Sequence, residues 1–216
     1  MNQPLREQNP DGMAILGGSF DPIHWGHIWM AQAAYEQLPV AKVRWMPAAT
    51  SPLKESGTHA NASQRLEMLR LAIGASSCFQ ADERELKREG VSYTVDTLND
   101  LHAEQPDRKI FLIVGADNLA CFDQWRQPEN VLRLCTLAVV ARGGSPSPDW
   151  STLQRYLSTD EVEWHRQHQI RMPQIDLSSS LIRERVAAGL TIRHLVPASV
   201  AAFISASKLY QASTVV

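Results

Sequence analysis

The chain is poor in several features that would mark a protein class at once. Its apolar runs fall short of the roughly 20 residues a membrane-spanning helix needs, so no spanning segment is expected. Basic residues number 21 against 23 acidic ones, a formal net charge of -2. That balance argues against a nucleic-acid backbone binder, which is normally basic; any anion site must be local. There are three cysteines, Cys78, Cys121 and Cys135. They are odd in number and lack ligand spacing, so they read as buried thiols in a reducing compartment. No internal repeat, Ser-His-Asp constellation or carboxylate pair stands out. The opening MNQPLREQNPDG has no apolar core and is not read as a secretory signal. Residues 1–12 are expected to be a disordered lead-in, residues 13–216 a single domain, and the cytoplasm its location. With 216 residues, 44% of them hydrophobic, the chain can bury one proper α/β core.

What is present is concentrated in Met13 to His27, MAILGGSFDPIHWGH. A short apolar run reads as a buried strand. Gly17 and Gly18 follow, where a backbone can turn sharply or approach a ligand closely. Ser19 adds a hydroxyl, Phe20 an apolar ring, and Pro22 stiffens the turn. His24 and His27 flank Trp25-Gly26 where an apolar helical pattern begins (Ile28, Ala31, Ala34, Tyr35, Leu38). Strand, glycine turn and helix start together make an anion site, because unpaired N–H groups and the positive end of the helix dipole face the turn. Two imidazoles beside it suggest a polyphosphate whose charge must be stabilised.

Further along, Lys42 to Pro47 is β-rich, and strand–helix–strand implies parallel pairing. The polar loop 48–62 carries Pro52, Leu53, Lys54 and Gly57; long loops are usually functional or mobile, although Lys54 reads equally well as a solvated lysine. Ser63 is a plausible cap for a helix through Leu66, Leu69 and Ile73. Residues 78–85 suggest a strand and its exit. Val91 to Leu98, VSYTVDTL, opens another helix at Ser92 and Thr94. Lys109 to Val114 is a continuous apolar run, the clearest central strand, followed by Gly115-Ala116-Asp117 at its carboxyl end, where open α/β sheets bind ligands. Asp117 could take a ribose hydroxyl or an adenine amino group, or simply cap a helix. Pro128 opens a short helix. Thr136 to Ala141 is a further strand running into Arg142-Gly143-Gly144. Residues 151–169 are polar, and their His165 and His168 read as solvated surface. Ile175 to Leu177 suggests a short strand. Ser178, Ser179 and Ser180 then open a helix ended by Gly189. A last helix begins at Pro197 and is expected on the sheet edge. The fold class expected is α/β: a single Rossmann-like domain with a mostly parallel open sheet and helices on both faces.

GGSFDPIHWGH resembles the signature of the nucleotidyltransferases built around His-x-Gly-His. Leu177 to Arg183, LSSSLIR, is similar to that family's second signature, and both occur in one chain at the family's separation. With Ser92 to Leu98, Asp117 and Trp125 added, the chain looks most like the nicotinate-nucleotide adenylyltransferases, over about residues 13–204. The resemblance implies transfer of an adenylyl group from ATP to nicotinate mononucleotide, with pyrophosphate as the second product. It implies that Gly17, Gly18, Ser19, Phe20, His24, His27, Gly115, Asp117, Arg142, Leu177, Ser179, Ser180 and Arg183 face ATP. Ser19, Thr94, Asp117 and Trp125 would face the pyridine nucleotide, and His24, His27, Arg183 and Lys54 would carry the chemistry. In the family the loop after the second strand holds a His where this chain has Leu53. No protein metal ligands are implied; Mg²⁺ is expected on the triphosphate. A homo-oligomer is left open, and no nucleic-acid or membrane partner is expected.

The attacking phosphate is already an anion, so no general base is needed; alignment and charge neutralisation are. His24 and His27 would donate as charge builds, and Ser180, Arg183 and Lys54 would hold the leaving phosphates. The rivals are the same chemistry on nicotinamide mononucleotide or phosphopantetheine, transfer from a cytidylyl donor, a nucleotide-binding regulator without catalysis, and a metal-binding protein.

Overall fold

The structure is a computed structural model describing residues 11–52, 57–74, 76–142 and 147–212, and of Arg142 the backbone alone. A six-stranded sheet, parallel throughout, runs in the order β3-β2-β1-β4-β5-β6. The strands are β1 (Gly12–Gly18), β2 (Val40–Pro47), β3 (Phe79–Ala81), β4 (Ile110–Gly115), β5 (Thr136–Arg142) and β6 (Ile170–Met172). β1 is central, with β2 on one side and β4 on the other.

Both faces of the sheet are covered, so the inner strands are apolar on both sides, as parallel sheets require. Ala14 and Leu16 of β1, Phe111 and Ile113 of β4, and Ala138 and Val140 of β5 face one core. That core is closed by α1 (Trp25–Gln37), α2 (Ala62–Ile73), α8 (Ser179–Ala187) and α9 (Ala198–Ala206). The alternate residues Met13, Ile15, Leu112, Val114, Leu137 and Val139 face the other core, under α4 (Thr94–Glu104), α6 (Pro128–Leu134) and α7 (Thr159–Gln167). The short helices α3 (Arg84–Arg88) and α5 (Ala116–Ala120) sit at the carboxyl side of β3 and β4. The chain leaves β1 into α1 on one face and β4 into α5 on the other. Between them lies the crevice that the strand order creates.

Several local expectations need correction. The sixth strand is Ile170–Met172, while residues 175–177 have no regular structure. α2 is capped by Asn61, whose side chain accepts from the Gln64 N–H, and not by Ser63. α9 packs against α2 and the first core rather than the sheet edge, with the Ser199 hydroxyl donating to the Leu71 carbonyl at 3.0 Å. Only Cys135 is fully buried; Cys78 and Cys121 are half-buried. His165 is not solvated: it is 4% exposed, and its Nδ1 accepts the Leu137 N–H at 2.9 Å. Burial pushes its pKa down to about 4. The expected lead-in lies largely outside the described residues; β1 starts at Gly12.

Candidate active site

A cavity of about 970 Å³ opens over the carboxyl ends of β1 and β4. Its first wall is the glycine turn. The chain leaves β1 through Gly17 and Gly18, and Phe20 then takes a left-handed backbone (φ 48°), a conformation costly for a bulky residue and held by its surroundings. The Phe20 ring does not line the cavity. It is 1% exposed and packs at 5.5 Å on Trp45 and edge-on at 5.2 Å to His27. A side chain at Gly18 would meet that ring at 3.0 Å, so the glycine makes room for it. Phe20 therefore braces the turn from below.

His24 forms the N-cap of α1, and its ring lies on that of His27, centroids 3.8 Å apart and 25° from parallel. Gly26 explains the glycine between them: a Cβ there would sit 3.0 Å from Cε1 and Nδ1 of His24. The His24 backbone N–H donates to His27 Nδ1 at 3.3 Å. An Nδ1 that accepts leaves Nε2 as the ring's donor, and His27 lines the cavity.

The second signature is stapled to the first. Ser178 caps α8 by accepting the Leu181 N–H. The Ser179 hydroxyl donates to the Pro22 carbonyl at 2.9 Å, and Arg183 donates through Nη1 to the Asp21 carbonyl at 2.7 Å and through Nη2 to Ser180 Oγ at 3.0 Å. Behind this joint sits a buried network that sequence reasoning missed. Asp21, 4% exposed, accepts the His59 N–H at 2.7 Å, the Ala60 N–H at 3.1 Å and the Tyr210 hydroxyl at 2.7 Å. Burial, then the bond to Asp21, pushes the Tyr210 hydroxyl well above its usual range. Arg65, 1% exposed, donates to the Ser19 carbonyl at 2.8 Å. Burial lowers its pKa, opposed by Asp21 and Tyr210.

The far wall belongs to the other core. Tyr93 and Trp125 pack on it, with Phe122 and Trp125 ring centroids 5.1 Å apart. The segment before α4 is tied to the loop after β2: Ser92 Oγ accepts the Ala49 N–H at 2.9 Å and the Ser92 N–H donates to the Thr50 carbonyl. Glu85 lines this wall, yet its carboxylate accepts the Thr97 hydroxyl at 2.7 Å. Burial raises its pKa, against the bonds from Thr97 and Ser92 and the charge of Arg88. At the floor, a Cβ on Gly115 would fall 2.2 Å from Asp117 Oδ1. Only a glycine leaves room for that carboxylate in its place.

Of the expected residues, Gly17, Gly18, Ser19, His24, His27 and Thr94 line this one cavity. So do Gly115, Asp117, Trp125, Leu177, Ser179, Ser180 and Arg183. Lys54 and Leu53 lie outside the described residues, as does the side chain of Arg142. Glu85, Ser92 and Arg126 also line the cavity and were not singled out as site residues. Ser92 and Arg126 sit within two residues of one that was, whereas Glu85 is nine residues from Thr94 and no local signal marks it. The described residues contain no cluster of three His, Cys, Asp or Glu that could hold a metal.

Two imidazoles, a serine-capped helix start and an arginine thus line one cavity beside the glycine turn, an arrangement able to take an anion. Residues 15–185 match the family model described as cytidylyltransferase-like, and the chain belongs to that family. Within it the sequence relatives are narrower. A protein from Rhodopirellula baltica named "Probable nicotinate-nucleotide adenylyltransferase" is 52% identical over 204 residues, covering 94% of this chain and 95% of its own. One of the same name from Herpetosiphon aurantiacus is 39% identical over 93% of this chain and 98% of its own. Among solved structures, Plasmodium falciparum nicotinic acid mononucleotide adenylyltransferase complexed with NaAD superposes with a TM-score of 0.75 at 18% identity. It covers 92% of this chain and 97% of that one, and at this identity shows the shared fold.

Proposed function

We infer that the protein transfers the adenylyl group of ATP to nicotinate mononucleotide, giving nicotinate adenine dinucleotide and pyrophosphate, a step of NAD biosynthesis. The observation that carries the reading is the joint at one cavity: Arg183 Nη1 on the Asp21 carbonyl at 2.7 Å, beside the His24–His27 pair. Relatives bearing the activity's name over nearly the whole chain support the choice of acceptor.

An oxygen of the acceptor's 5′-phosphate forms a bond to the α-phosphorus of ATP, and the bond to the bridging oxygen of the β-phosphate breaks. The electron pair leaves with pyrophosphate. No proton need be removed from the attacking group, so the work falls on alignment and charge. His27 would donate from Nε2 to an α-phosphate oxygen, with His24 stacked on it and set by Gly26. Ser180, Arg183 and Lys54 would hold the departing phosphates. Asp117 would take a hydroxyl or amino group of a nucleoside, and Trp125 would cover the pyridine. A divalent cation would enter on the triphosphate and be held by its oxygens and water. Mg²⁺ bound there would offset the triphosphate's charge.

The test measures pyrophosphate release with ATP and Mg²⁺ across a panel of acceptors. Release with nicotinate mononucleotide is expected. No release with either pyridine mononucleotide would overturn the reading.

A further inference from the structure

We propose that Arg126 selects the acceptor by the carboxylate on its pyridine ring. The inference rests on the reading of the acceptor given above. Arg126 lines the cavity beside Trp125, on the wall that packs on the second core. Its guanidinium lies 4.6 Å from the Tyr93 ring centroid, and its Nη1 is 3.6 Å from Asp96 Oδ2. Those side chains are 49% and 39% exposed. An ion pair so long and so open to water neutralises little charge, while the contact with Tyr93 keeps the guanidinium on this wall.

The start of α4 lies on the same wall. α4 opens at Tyr93 without a side-chain cap, and Thr94 at its start lines the cavity. Arg126 and the start of α4 thus share one wall of the cavity. Glu85, the acid on this wall, is turned to Thr97. A ring carrying a carboxylate gains from this positive charge. The amide analogue, of nearly the same shape, gains nothing from it. Backbone amides can serve either ring, whereas a guanidinium separates the two.

The experiment compares kcat/KM for nicotinate and nicotinamide mononucleotides in the wild type, Arg126→Gln and Arg126→Lys, with ATP and Mg²⁺. Arg126→Gln should lower the acid-over-amide ratio roughly fivefold, the scale of one partly screened charge contact. The change should fall mainly on KM for the acid, and Arg126→Lys should keep most of the ratio. An unchanged ratio in Arg126→Gln overturns the inference, including the case where both constants fall together, because a clasp on Tyr93 would affect both acceptors alike. Failure of the wild type on both acceptors would instead overturn the functional reading and this inference with it.

Discussion

The two ends of the cavity are built differently. At the phosphate end the side chains grip backbone. Arg183 holds the Asp21 carbonyl, Ser179 the Pro22 carbonyl and Arg65 the Ser19 carbonyl, while Asp21 takes two N–H groups of the 59–60 segment. At the ring end Arg126 instead meets side chains, Asp96 and Tyr93, and its pair with Asp96 is half exposed. Backbone-anchored groups lose little on meeting a ligand, because their positions are fixed beforehand. Side-chain clasps can shift with the ligand. The arrangement suits a reaction whose barrier lies in phosphate charge and whose selectivity lies in a ring.

The sharpest way to break this contrast is His27→Ala. Loss of one well-placed transition-state donor should cut kcat by about two orders of magnitude or more, with the thermal unfolding profile kept. Near-normal turnover in a folded variant would remove His27 from the chemistry. A control belongs to neither end. His165 is neutral in the fold with a pKa of about 4, against 6.5 for the free side chain. Its folded pKa is depressed, so the unfolded chain binds the extra proton. Its contribution is complete above pH 6.5 and is lost as the pH falls toward 4, of order 2–3 kcal/mol. Denaturant unfolding from pH 7 to 4 should show this slope in the wild type. His165→Gln should flatten it, and equal slopes in the two proteins would refute the assignment.

At the ring end, Trp125→Ala should lower kcat/KM for the acceptor by roughly tenfold at most, mainly through KM. A fall confined to kcat would place Trp125 with the reacting phosphates and erase the contrast. Smallest is Tyr210→Phe, which deletes one of three donors to Asp21 and should cost about 1 kcal/mol of stability. Since Phe leaves the other two bonds in place, kcat should fall less than in His27→Ala; an equal fall would mean that the bracing itself limits turnover.

The parts of the molecule legible in the sequence were those with dense local signals. β1 and the start of α1 lie in one fifteen-residue stretch, where strand, glycines and histidines leave few alternatives. β4 and β5 are continuous apolar runs that only a doubly covered sheet explains. Short elements were harder: Ile170–Met172 and Ile175–Leu177 carry the same alternation, and pairing with β5 selects the first. His165 looked solvated because charged residues surround it in sequence. It is buried because one face of α7 turns its Val162 and His165 inward. The network behind the site was the least visible. Arg65 sits in a helix where arginine is ordinarily a surface residue, and Tyr210 is 189 residues from Asp21. No periodicity links them; only the closed fold does.

That 189-residue span also sets an order of events. Synthesis delivers Asp21 189 residues ahead of Tyr210, and pairings so distant along the chain form after local ones. The turn between β1 and α1 can therefore fold early, yet it receives its anchor from Tyr210 only after α9 is in place. A proteolytic nick between α9 and Tyr210 would release that anchor while every cavity-lining residue remained intact.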